Sequence, residues 1–148
     1  MRKIITAFTF LFMVNLSFAQ FESANITAYF TDELAPEGLD STITDPGMSD
    51  STVLRRKVEI KIENLDSLAV HGCIVEVLED SSNYILSRKI GNKYDAGSMG
   101  FVRFENNAYY INAGYFREDM QLKVLVRLED YNKVLSDLVT LTIAPYEE

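Results

Sequence analysis

After the first nineteen residues, apolar and polar residues alternate with a period of two. The clearest stretch is Lys57-Val58-Glu59-Ile60-Lys61-Ile62-Glu63. Val58, Ile60 and Ile62 fall on one side of an extended chain and four charged residues on the other, which predicts a half-buried strand with one wet face. Its charged face also gives this stretch the character of a protected edge strand. Leu122-Lys123-Val124-Leu125-Val126-Arg127-Leu128 repeats the alternation, with Leu125 as the exception. Residues 134–143 continue it, with Val139, Leu141 and Ile143 set against Thr140 and Thr142. All three stretches are dense in β-branched residues, which suit a pleated, half-buried surface.

Further strands are expected at residues 26–30, 73–78, 84–90, 101–105 and 109–111. Asn106-Asn107 lies between the last two. Asparagine tolerates positive φ, so the pair predicts a tight hairpin. Residues 79–83 and 129–133 read as hairpin loops, and residues 116–120 as a short turn. Strands recurring at this spacing, with turn chemistry between them, argue for an antiparallel sandwich or barrel. Two long connections interrupt the rhythm. One spans residues 31–52 and is rich in acids, with Pro36, Gly38, Pro46 and Gly47; the other spans residues 91–100. No segment has the pattern of a long amphipathic helix, and no internal repeat is present.

The carboxyl-terminal third adds a resemblance. Leu122-Lys123-Val124-Leu125-Val126-Arg127-Leu128, the polar turn at residues 130–133, and Leu138-Val139-Thr140-Leu141-Thr142-Ile143 together resemble the last hairpin of immunoglobulin-like and fibronectin type III-like domains. The resemblance implies an all-β antiparallel sandwich of about seven or eight strands. It implies no activity, because such sandwiches host many roles.

The amino terminus sets the expected compartment. Arg2 and Lys3 precede an uncharged apolar run that ends in Ser17-Phe18-Ala19, followed by Gln20. This is the layout of a secretory signal peptide over residues 1–19. The run of about fifteen residues is shorter than the roughly 18–20 that a membrane-spanning helix needs. The expectation is export to the periplasm or cell exterior, no stable membrane span, and a single domain over residues 20–148.

Charge narrows the partners. The chain has 14 basic and 22 acidic residues. An acidic surface repels phosphate backbones, so nucleic acid is a poor partner. The lone cysteine, Cys73, cannot form an intramolecular disulfide and sits in an apolar run, where a thiol behaves as a small buried hydrophobe.

The sequence holds no catalytic constellation. The single histidine, His71, lies two residues from Cys73, so on a regular strand both would share one face. Neighbours at that spacing make a poor nucleophile–base pair, and two ligands are too few for zinc. Asp40, Asp45 and Asp50 in the acidic connection are weak calcium candidates, since calcium takes several carboxylate oxygens on loops, although their spacing lacks the EF-hand pattern. No other cofactor is implied. Acids are plentiful enough for a carboxylate-based hydrolase, but nothing selects two of them. Asn25-Ile26-Thr27 is a glycosylation sequon, meaningful only in a eukaryotic secretory pathway.

Tyrosines supply the remaining signal. Tyr94, Tyr109, Tyr110 and Tyr115 crowd the middle of the chain. Tyrosine favours interfaces, so these four are the expected partner-binding residues. Tyr109 and Tyr110 are adjacent and must face opposite sides of a strand. The reading is an exported, non-enzymatic binding or assembly module for a protein partner or extracellular ligand. The alternative is a small-ligand or glycan binder, with or without calcium.

Overall fold

A computed structural model of the chain describes residues 24–36, 54–65, 70–80, 82–90 and 101–147. The expected signal peptide lies outside these residues, as do Asp40, Asp45, Asp50 and Tyr94. Eight strands form: β1 (Asn25–Leu34), β2 (Arg55–Glu63), β3 (Val70–Glu79), β4 (Ser82–Lys89), β5 (Val102–Glu105), β6 (Ala108–Arg117), β7 (Leu122–Asp130) and β8 (Val139–Ile143). They pair antiparallel in two four-stranded sheets. Sheet A has the order β1-β2-β6-β5 and sheet B the order β4-β3-β7-β8. The fold is an all-β sandwich, as the alternation predicts.

The core is the set of inward positions. Val58, Ile60 and Ile62 of β2 and Tyr109, Ile111 and Phe116 of β6 meet Cys73, Val75 and Val77 of β3 and Leu122, Val124, Val126 and Leu128 of β7. Each sits where period-two spacing puts it, because burying one face of each sheet removes the most apolar area from water.

Two bulges reset that parity. On β6, Gly114 stands opposite Val58 while Asn112 stands opposite Glu59, so Ala113 is the extra residue. Gly114 takes φ 116°, which side-chain-bearing residues rarely adopt, and its N–H donates to Asn112 Oδ1 at 2.9 Å. Past this point Phe116 enters the core and Tyr115 turns outward. On β3, Val70 stands opposite Asp130 and Gly72 opposite Glu129, making His71 the extra residue. The expected common face of His71 and Cys73 is therefore absent. Cys73 is 1% exposed in the core, while His71 is half-buried with its ring 5.1 Å from that of Tyr131.

Several expected boundaries move. Residues 31–34 belong to β1 rather than to the acidic connection: an irregularity follows Phe30, and pairing with β2 resumes at Leu34 opposite Arg56. The expected strand over residues 134–143 shrinks to β8; residues 131–138 are irregular, apart from one bridge between Glu129 and Leu135. β6 runs to Arg117, so the turn is confined to residues 118–120. Asn106 and Asn107 both take positive φ, 48° and 61°, as a two-residue hairpin requires. The largest correction concerns β2. It is not an edge strand: it pairs with β1 on one side and β6 on the other. On its charged face Glu59 is buried, while Lys57, Lys61 and Glu63 stay half-buried in ion pairs.

Candidate functional site

The tyrosines separate as the strand geometry demands. Tyr109 points inward, is 1% exposed and packs on Phe104 with ring centroids 4.7 Å apart. It is a core residue and offers no surface to a partner, which corrects its assignment as a contact. Tyr110 and Tyr115 point outward from sheet A, where Tyr29 joins them from β1.

That outer face is a network of mutual partners. Glu59, only 5% exposed, accepts the Tyr29 hydroxyl at 3.1 Å and both terminal nitrogens of Arg103 at 3.1 and 3.3 Å. The Arg103 guanidinium also lies 4.4 Å from the Tyr110 ring centroid. Glu33 accepts the Tyr115 hydroxyl at 2.6 Å and the Lys57 ammonium at 2.9 Å. Lys61 pairs with Glu63 at 2.6 Å.

The electrostatics follow these contacts. Burial, and then the charge of Glu59 and its hydrogen bond, push the Tyr29 hydroxyl up to about 12. The hydrogen bond from Tyr115, and then that from Lys57, lower the Glu33 carboxyl; the same contact with Glu33 raises Tyr115. The face is rich in charge, but its charges are spent on one another. Among the described residues no three His, Cys, Asp or Glu side chains converge as a metal cradle. The hydroxyls, ammonium and guanidinium here hold the sheet together and present no nucleophile–base pair.

The outer face of sheet B is different. Antiparallel sandwiches usually place polar residues outward, yet here a groove of about 280 Å³ is lined by Ile74, Glu76, Leu125, Arg127, Leu135 and Leu138. Ile74 and Leu125 form its apolar floor on β3 and β7. Leu135 and Leu138 come from the irregular segment after β7 and remain largely exposed. Asp130 holds that segment: its Oδ1 accepts the N–H groups of Asn132 at 2.7 Å and Val134 at 2.9 Å. Ser136 adds a second tie, its N–H donating to the Leu128 carbonyl at 2.9 Å while its hydroxyl accepts the Leu128 N–H at 2.9 Å.

Glu76 and Arg127 supply one charge of each sign beside the apolar floor. Such a groove takes an apolar side chain and offers a polar group of either sign for orientation. Its volume is just below the range of drug-sized ligand pockets. The sequence carried one trace of it, in Leu125, the apolar residue at a polar place in the β7 alternation. Leu135 and Leu138 gave no such trace, because they lie on a segment expected to be strand.

In comparisons with known proteins, the chain matches no protein-family model and no curated protein sequence. No helix among the described residues is long and apolar enough to cross a membrane.

Proposed function

We propose that the chain is an exported, non-enzymatic binding or assembly module of the periplasm or cell exterior, and that it takes a protein partner on the outer face of sheet B. The observation that carries this reading is the apolar groove over Ile74 and Leu125, walled by exposed Leu135 and Leu138. Contiguous exposed apolar surface on a sheet that could have been polar marks an interaction site. The strand order supports an immunoglobulin-like arrangement. The β1-β2-β6-β5 sheet has the order of one immunoglobulin sheet, and β3-β7-β8 that of the other, with β4 added beside β3. That likeness is one of scaffold and carries no activity.

The experiment compares the chain from Gln20 onward with its Leu138→Asp variant as baits against the native envelope and culture fractions. The expected result is a stoichiometric partner held by the first and lost by the second, with both melting alike. A partner held equally by both removes the groove from the reading. No partner at all turns attention to the second reading.

That second reading is a glycan or small-ligand binder on sheet A. It draws on one observation, the outward display of Tyr29, Tyr110 and Tyr115 on a single face. Ligand arrays, with and without calcium, test it. A carboxylate-based hydrolase ranks third and has no geometric support among the described residues.

A further inference from the structure

The four edge strands of the sandwich are not equally guarded. β5 has four residues and β8 has five. β1 is interrupted by an irregularity between Phe30 and Leu34 that carries Asp32 and Glu33. Short, bulged or charged edges resist pairing with other chains. β4 has none of these devices over its first five residues, Ser82-Asn83-Tyr84-Ile85-Leu86. Its register with β3 runs unbroken from Glu79 opposite Ser82 to Gly72 opposite Lys89. At its middle stands Ile85, 69% exposed, the most exposed large apolar residue of the described chain. Among the described residues no strand lies on the far side of β4.

The hydrogen-bond parity of β4 fixes how a strand could join it. The N–H of Ile90 donates to the His71 carbonyl at 3.0 Å, in the same register as the ladder. Backbone groups of a strand point alternately to either side, so residues 82, 84, 86 and 88 bond to β3. Residues 83, 85 and 87 then direct their N–H and C=O groups to the open edge.

We infer that β4 pairs antiparallel with β4 of a second copy of this chain, about a two-fold axis through Ile85, joining two B sheets into one. This goes beyond the partner reading and does not depend on it. A two-fold axis perpendicular to the sheet keeps outward residues outward, so opposed residues must share parity. With the axis on Ile85, each Ile85 faces the other as a hydrogen-bonded pair, and residue 83 faces 87. These three pairs close about six backbone hydrogen bonds. Tyr84 comes opposite Leu86 on the inner side, apolar against apolar. The sequence of β4 has no acid to oppose a second β4. The same strand therefore complements itself along this seam, Ile85 on Ile85 and Tyr84 on Leu86, and that self-complementarity selects a second copy as the occupant.

The register makes the test specific. Sedimentation of the chain from Gln20 onward should show a monomer–dimer equilibrium in roughly the micromolar range expected of a single-strand interface. Ile85→Lys, at an exposed position, should sediment as a folded monomer. Ile85→Cys should form a covalent dimer on mild oxidation, because opposed residues in a hydrogen-bonded pair have Cα atoms about 5.5 Å apart, within disulfide reach. Asn83→Cys should not, since this register holds its two copies about 14 Å apart. A wild-type chain that stays monomeric at several hundred micromolar (about 100 times that range) overturns the inference. So does a dimer that survives Ile85→Lys, or equal cross-linking of the two cysteine variants. Leu138→Asp should leave this dimer intact, so failure here and failure of the groove reading are told apart.

Discussion

The guanidinium of Arg56 lies over the ring of Tyr146, 3.8 Å from its centroid. Arg56 is only 7% exposed. Its Nε donates to Glu118 at 2.5 Å and a terminal nitrogen donates to the Asp32 carbonyl at 2.9 Å. Tyr146 completes the cluster: its hydroxyl donates to Asp32 Oδ1 at 2.8 Å and its N–H to the Glu118 carbonyl at 2.8 Å. One buried cation thus ties β1, β2, the β6–β7 turn and the chain beyond β8 into one end of the sandwich.

Arg56→Ala should therefore cost about 3 kcal/mol, the lower end for breaking a buried pair, because Glu118 keeps some contact with water. Arg56→Lys should recover only part of this. It retains the charge but loses the flat stack and the second donor direction. Urea denaturation of the two variants measures both, and equal stability of Lys and wild type would assign the cluster to charge alone.

Alkaline titration isolates Tyr29. Its pKa is raised from 10.0 to about 12 in the folded chain, so the native state holds this proton more tightly than the unfolded state. The stabilisation is complete below about pH 10 and is lost as pH rises through 12. Wild type should lose stability more steeply than Tyr29→Phe across that window. Parallel curves would show that Glu59 does not hold the hydroxyl in solution.

Asp130 governs the wall of the groove. Asp130→Ala removes the acceptor shared by the Asn132 and Val134 N–H groups and should cost about 0.5–1.5 kcal/mol, since both donors can turn to water. Asp130→Asn keeps one acceptor oxygen and should cost less. The same loss should open residues 131–138 to limited proteolysis before the sheets unfold, which a time course of cleavage sites would show.

Tyr109 and Tyr110 should behave oppositely despite their adjacency. Tyr109→Ala empties a core position and should cost about 3–5 kcal/mol. Tyr110→Ala removes the outer stack on Arg103, worth about 0.5–1 kcal/mol. Thermal melts of the two variants would decide, and similar losses would contradict the assigned faces.

Cys73 should resist thiol reagents until the chain unfolds globally. It sits on a central strand among the most buried side chains, where opening requires the full unfolding free energy. Reaction at a rate that is independent of denaturant would mean that the strand opens locally.

Much of the architecture is legible before any coordinates. The alternation in β2 and β7 assigns inward and outward residues correctly, and Asn106-Asn107 identifies its own turn. Both signals are local. A strand's two faces are set by neighbouring residues, and a hairpin turn by the φ its residues tolerate. The bulges at His71 and Ala113 are less legible, since one inserted residue leaves the composition of a strand unchanged while flipping every face beyond it.

The amino-acid order by itself determined that this chain forms β-strands, which side chains of most strands turn inward, and that acids outnumber bases. Tertiary structure alone decided which strands became neighbours. Strand pairing is made by backbone groups that every residue carries, so the sequence does not announce its partners. For that reason β2 became an inner strand whose charged face carries ion pairs, rather than an edge. For the same reason Ile74, Leu125, Leu135 and Leu138, far apart in the chain, came to line one groove, and among the described residues β4 stands at the edge of its sheet.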